Sequence, residues 1–193
     1  MCSKTQPLIF LQVVTSTEAC IELTKSTNPD IVMTEVQMSK GSTGYALAQY
    51  VQKHHASTKV IAHTILTDRV VCEAMIRCGA KGFIGKKDGE DELEKAIYAV
   101  YNNQYYVSSQ YQINEDEIKA IQNRYIEWLE NITPKEIHLA ELLAQNLTLE
   151  QAANNLNISY SVASKKRKNL FYKTNTDSVI GLIDFLKKVG ILS

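Results

Sequence analysis

The sequence predicts two unlike halves, a parallel α/β sheet domain followed by an all-helical domain. Three observations carry this. From Leu8 to Gly85, short apolar runs alternate with stretches of helical spacing, the pattern of a parallel sheet covered on both faces. From Asn114 onward the apolar residues recur at helical spacing. Within that second half, Leu147 to Thr174 reads as two short helices joined by a tight turn, the second strongly basic.

The elements of the first half follow in order. Leu8 to Val14 (LIFLQVV) is an apolar run with one Gln, as expected of a buried parallel strand. Thr17 and Glu18 open a helix that runs to Ser26, and Asn28-Pro29-Asp30 makes a turn. Ile31 to Val36 is a second strand. A loop carrying Gly41 and Gly44 leads into a helix from Tyr45 to about His54. Lys59 to Thr64 is a third strand, Asp68 to Cys78 a helix ended by Gly79, and Gly82 to Gly85 a short fourth strand. A further amphipathic helix spans Asp91 to Tyr101.

In the second half, Asn114 to Asn131 places Ile118, Ile121, Tyr125, Trp128 and Leu129 on one helical face, with acids at its start as the helix dipole favours. A linker needs less. Such a helix packs on its own domain, covers another apolar surface or pairs with its mate in a dimer. Thr133 caps the next helix, with Pro134 first and Glu136 closing a capping box over Ile137, Leu139, Ala140, Leu142 and Leu143. Thr148 and Gln151 make a second box, followed by apolar Ala152, Ala153 and Leu156. Asn157 stands where this helix must stop and tolerates the left-handed conformation that stops need. Ser159 caps the basic helix, from which Val162, Ala163, Leu170 and Phe171 are expected to face inward. Thr176 or Asp177 caps a last helix carrying Val179, Ile180, Leu182, Ile183, Phe185 and Leu186.

The basic helix holds Lys165, Lys166, Arg167, Lys168 and Lys173 with no acid among them. A charge run alone is usually a solvated face. Two helix starts, a turn residue at the right offset and the basic face together instead predict a helix-turn-helix that puts its second helix in the DNA major groove.

Lysine and arginine together balance aspartate and glutamate at 21 each, and 45 % of the residues are apolar. The overall charge therefore says nothing about nucleic acid, while its distribution does. Cys2, Cys20, Cys72 and Cys78 form no CxxC pair and no zinc-ligand spacing with histidine, so they read as thiols in a reducing compartment. No apolar run has membrane-spanning length and no signal peptide is legible, which predicts a cytoplasmic protein. No nucleophile–base pair, glycine-rich phosphate loop or metal cluster stands out, so neither an enzyme nor a cofactor is expected.

Ile132 to Leu186, opening on Ile132-Thr133-Pro134-Lys135-Glu136, resembles the LuxR-type helix-turn-helix that ends NarL/FixJ response regulators, and the likeness runs through all four helices without a gap. The first half resembles their receiver domain through Glu18 to Glu22 with Asn28-Pro29-Asp30, then IVMTEVQM, then Cys78-Gly79-Ala80-Lys81-Gly82-Phe83 with Lys86. The resemblance implies a flavodoxin-like receiver fold over 1–108, a linker helix over 109–131 and a DNA-binding domain over 132–193. It also implies departures. Glu35 stands where receivers carry the phosphate-accepting aspartate, its carboxylate one methylene further out. No acidic pair for magnesium follows a first strand, and the family's first strand and first helix are lacking. Thr64 and Lys86 match the family's switch threonine and phosphate-contacting lysine; Glu35 is read either as an ordinary strand-end carboxylate in a decayed pocket, the favoured reading, or as a phospho-aspartate mimic through an ion pair with Lys86.

Carried over by position, the groove face is Ser161, Ser164, Lys165, Lys168 and Asn169. Lys166, Arg167 and Lys173 are expected on phosphates, with Thr148 and Ser159 donating near the helix starts. Val179 and Ile183 are the implied dimer contacts. The expectation is thus a dimeric, sequence-specific binder of double-stranded DNA that regulates transcription without phosphorylation, leaving room for a regulatory protein partner. The alternative is an adaptor module whose basic helix binds protein or RNA.

Overall fold

The structure, a computed structural model, describes residues 8–38 and 42–192. Cys2 and Gly41 lie outside these. Four strands, β1 (Ile31–Thr34), β2 (Lys59–Thr64), β3 (Gly82–Gly85) and β4 (Tyr106–Val107), form one parallel sheet in the order β1-β2-β3-β4 among the described residues. The helices of this half are α1 (Thr17–Thr27), α2 (Gly44–His54), α3 (Arg69–Arg77) and α4 (Glu90–Tyr101). The parallel α/β architecture is as the alternation predicts. A large core joins Val32, Val36, Val60, Ala62 and Phe83 to buried residues of α2 and α3, while Ile61 and Ile84 pack with Ala96 and Val100 of α4. The sheet is thus covered on both faces.

One strand expectation fails. Residues 8–14 form no strand, and Ile9 and Phe10 are 81 % and 79 % exposed. Their apolar run has the composition of a parallel strand, yet no described strand pairs with them. β1 is left as an edge strand among the described residues, and its Met33 is half-exposed. Conversely β4 is a strand that its two residues could not announce; it pairs Gly82 with Tyr106 and Phe83 with Val107.

The helix expected from Asn114 to Asn131 is broken in two, α5 (Glu115–Gln122) and α6 (Glu127–Asn131). Ile126 is extended (φ −117°, ψ 103°), and the Arg124 carbonyl accepts from Arg77 Nε at 2.7 Å instead of continuing the helix. The break lets α5 lie along α3. Ion pairs tie α3 to α5 through Arg69–Glu117 (3.0 Å), to the break through Glu73–Arg124 (2.6 Å) and to α6 through Arg77–Glu130 (2.8 Å). Exposed pairs of this kind contribute little each; they fix the helix's orientation over the buried Ile118 and Ile121. The second half continues with α7 (Pro134–Ala144), α8 (Leu149–Asn155), α9 (Tyr160–Thr174) and α10 (Val179–Lys188), around a core that includes Leu139, Leu143, Ala153, Leu170, Leu182 and Leu186.

The two halves meet. Trp128 of α6 stands edge-on to Tyr45 and to Phe185, with ring centroids 5.7 Å apart in both cases. Tyr45 Oη donates to the Val189 carbonyl at 2.9 Å, Gln37 Nε2 donates to the Leu192 carbonyl at 2.7 Å, and Lys188 pairs with Asp68 at 2.9 Å. Gly190 adopts φ 73°, and a Cβ there would stand 2.6 Å from Leu66, so only glycine lets the chain end lie this close.

Candidate nucleic-acid interface and the Glu35 pocket

The helix-turn-helix is built by its caps. Thr148 and Gln151 form the reciprocal box that starts α8, with Thr148 Nα donating to Gln151 Oε1 at 2.8 Å. Asn157 takes φ 52°, the left-handed residue that turns the chain between α8 and α9. Ser159 Oγ accepts from the Val162 amide at 3.3 Å and starts α9. Ala163 and Leu170 of α9 are fully buried, which turns the opposite side of the helix to solvent. Val162, expected inward, is 43 % exposed, because that side of the helix lies a quarter turn from the buried stripe. The α10 cap is Ser178, whose Oγ accepts from Gly181 N, rather than Thr176 or Asp177.

Ser161, Lys165, Lys168 and Asn169 are exposed, and Ser164 is partly so. With Tyr160, the residues Ser161, Ser164, Lys165 and Lys168 line one open concavity of about 430 Å³. Thr148 and Ser159 are exposed at their helix starts. Lys166 and Arg167 flank the face and are half-buried; the Arg167 guanidinium lies 5.9 Å from the Phe171 ring centre. Lys173 is elsewhere engaged. Its Nζ sits 2.7 Å from Glu136 Oε2 and donates to the Asn131 carbonyl at 2.9 Å, with the side chain 15 % exposed. In this structure the ammonium is engaged within the fold. Tyr160 was missed by a reading that followed charge; its spacing from Ser164 and Lys168, one turn and two turns on, was the signal. On α10, Val179 and Ile183 are partly buried while Ile180 between them is 75 % exposed.

The second site is the sheet end. Glu35 Oε2 and Lys86 Nζ form an ion pair at 2.8 Å, and Glu35 Oε1 accepts from the Val36 amide at 2.9 Å. Gly44 must be glycine here, since a Cβ would lie 2.4 Å from the Glu35 carbonyl. Thr64, fully buried, turns its hydroxyl to accept from the Leu66 amide at 3.1 Å, and its carbonyl accepts from the Lys86 amide at 2.8 Å. Burial, with the Lys86 ammonium, lowers the pKa of nearby His63, which is therefore neutral at pH 7. The structure thus brings Glu35 and Lys86 together and keeps Thr64 in a local turn. Among the described residues no cluster of three or more His, Cys, Asp or Glu could hold a metal, and no helix is long and apolar enough to cross a membrane.

Residues 5–98 match the family model of the response regulator receiver domain. The chain is 22 % identical over 174 residues to the oxygen regulatory protein NreC of Staphylococcus epidermidis, covering 85 % of this chain and 78 % of that one. It is 24 % identical over 166 residues to the response regulator GacA of Pseudomonas aeruginosa, covering 86 % and 77 %. In structure it resembles RcsB of Salmonella enterica serovar Typhimurium, solved bound to a promoter in the presence of a phosphomimetic, with TM-score 0.51 at 22 % identity over 90 % of this chain and 82 % of that one. The sequence likeness to NreC and GacA extends beyond the receiver half into the helical half, so along most of its length the chain is similar to response regulators of this kind.

Proposed function

We propose that this chain is a sequence-specific DNA-binding transcription regulator that acts as a homodimer and does not need phosphorylation. The observation that carries it is the outer face of α9. Four polar or basic side chains, Ser161, Ser164, Lys165 and Lys168, stand together in the open on a helix capped at both ends. That is the group set that meets base edges and phosphates when a helix lies in the major groove. The promoter-bound RcsB structure supports the same reading by fold. For dimer contact the exposed Ile180, with Val179 and Ile183 beside it, supports α10.

Binding-site selection from random duplex DNA, with full-length protein and no phosphodonor, tests this. A pseudo-palindromic site is expected, as a two-fold dimer requires. Salt-sensitive binding with no enriched site would favour the adaptor alternative. On the selected duplex, Lys168→Ala should cost about 1–3 kcal/mol if it reads a base. Replacing Lys165 and Lys166 by alanine should flatten the salt slope by roughly one to two units; an unchanged slope argues against phosphate contact.

For the receiver half, the Glu35 carboxylate is already committed to Lys86 and the Val36 amide. Treatment with acetyl phosphate should leave the intact mass unchanged and the affinity for the selected duplex unaltered. A phosphoryl adduct in the mass spectrum would overturn the phosphorylation-independent reading.

A further inference from the structure

We infer that Tyr160 is a base-reading residue, its ring receiving the C5-methyl group of a thymine at the adjacent notch. This rests on the reading of α9 as the helix that enters the major groove. Tyr160 is the first residue of α9, directly after the Ser159 cap, and its side chain is 59 % exposed. No ring contact or hydrogen bond among the described residues uses that side chain. The fold therefore gives no reason for an aromatic residue at this position.

The surroundings give one. Tyr160, Ser164 and Lys168 succeed one another at i, i+4 and i+8, and Ser161 and Lys165 form the next row, so the five line a single notch of about 430 Å³. It is lined by two small hydroxyl side chains, the tyrosine and two lysines. Lysine heads pair with guanine O6 and N7 or with phosphate, and serine hydroxyls serve many edges. The ring has no such polar counterpart. The major-groove edge of a base pair presents one apolar group, the thymine methyl. Residues at the start of a recognition helix are those that meet base edges. Polarity and position thus select the same atom, and the contact distinguishes thymine from cytosine, which lacks the methyl.

The test uses the duplex selected above, full-length protein and uracil placed at one thymine at a time, which removes the methyl alone. At one position in each half-site uracil should weaken wild-type binding about fourfold, the effect of losing one buried methyl-sized group, and roughly fifteenfold with both half-sites changed. Tyr160→Ala should bind the thymine and uracil duplexes equally at that position, while Tyr160→Phe should keep the wild-type difference. Equal binding of all uracil duplexes by wild-type protein overturns the inference. So does a difference that survives in Tyr160→Ala. A uniform loss in Tyr160→Phe on every sequence, with no thymine preference to lose, would make the residue a phosphate donor and also overturn it. If no duplex is enriched at all, the parent reading has failed and the inference falls with it, a result distinct from selective binding that ignores the methyl.

Discussion

Replacing Trp128 by alanine should separate the two halves of the molecule, turning one cooperative unfolding transition into two. Trp128 is only 7 % exposed and touches both halves at once, edge-on to Tyr45 of α2 and to Phe185 of α10. One apolar cluster runs from Val36 and Tyr45 through Trp128 to Val189, with Phe185 and Ile191 packed against it. Truncation of a buried Trp costs about 3–5 kcal/mol, and the two edge-to-face contacts add about 0.5–1.5 kcal/mol each beyond area. Besides the smaller apolar contacts of Val189 and Ile191, what remains across the seam is polar: the buried bond from Tyr45 to the Val189 carbonyl and the partly exposed contacts of Gln37 with the Leu192 carbonyl and of Lys188 with Asp68. Such contacts do not hold two domains to a common melting temperature once the apolar bridge is gone. Calorimetry decides it. A single, unshifted transition in the Trp128→Ala protein would show that the seam carries no coupling.

This seam was invisible in the sequence, and the reason is physical. Helical periodicity put Trp128 on an apolar face, but a face does not say what it meets. The partners lie far away in the chain, and the break at residues 123–126 that aims α6 at them is made by tertiary hydrogen bonds rather than by a Pro or Gly. Local rules were legible wherever a short-range hydrogen bond decides the structure. The boxes at Thr133 and Thr148, the Ser159 cap and the left-handed Asn157 all stand where spacing put them. Non-local rules were not: LIFLQVV has strand composition without a strand neighbour. At the candidate sites, the Glu35–Lys86 pair and the open face of Ser161, Ser164, Lys165 and Lys168 were readable. The Lys173–Glu136 pair was not legible, because a lysine near the end of a basic helix looks the same in sequence whether it faces solvent or turns back to an acid.

Lys173→Met should therefore destabilise the helical half strongly and leave the salt dependence of DNA binding unchanged. Glu136 is 3 % exposed and closes the α7 capping box onto the Thr133 amide and hydroxyl, while Lys173 brings α9 onto it from the other side. Removing one member of such a pair leaves a buried charge without its counterion, at about 3–5 kcal/mol. Glu136→Leu combined with Lys173→Met removes both charges and should recover part of that loss, which separates the pairing from simple loss of packing. Acid should act on the same pair. Burial raises the Glu136 pKa, but the bonds from Lys173 and Thr133 outweigh it, and the carboxyl ends below its ordinary value of 4.5. A carboxylate depressed in the folded state stabilises above its unfolded pKa. That stabilisation is lost as pH falls from there through the folded value. Wild-type stability should thus decline below about pH 4.5, more steeply than in the double variant, which has no carboxyl there to protonate. A Lys173→Met protein with wild-type melting and a flatter salt slope would reverse the assignment. It would mean that Lys173 leaves Glu136 for a phosphate when DNA is present, and that the ion pair is a resting place rather than a brace.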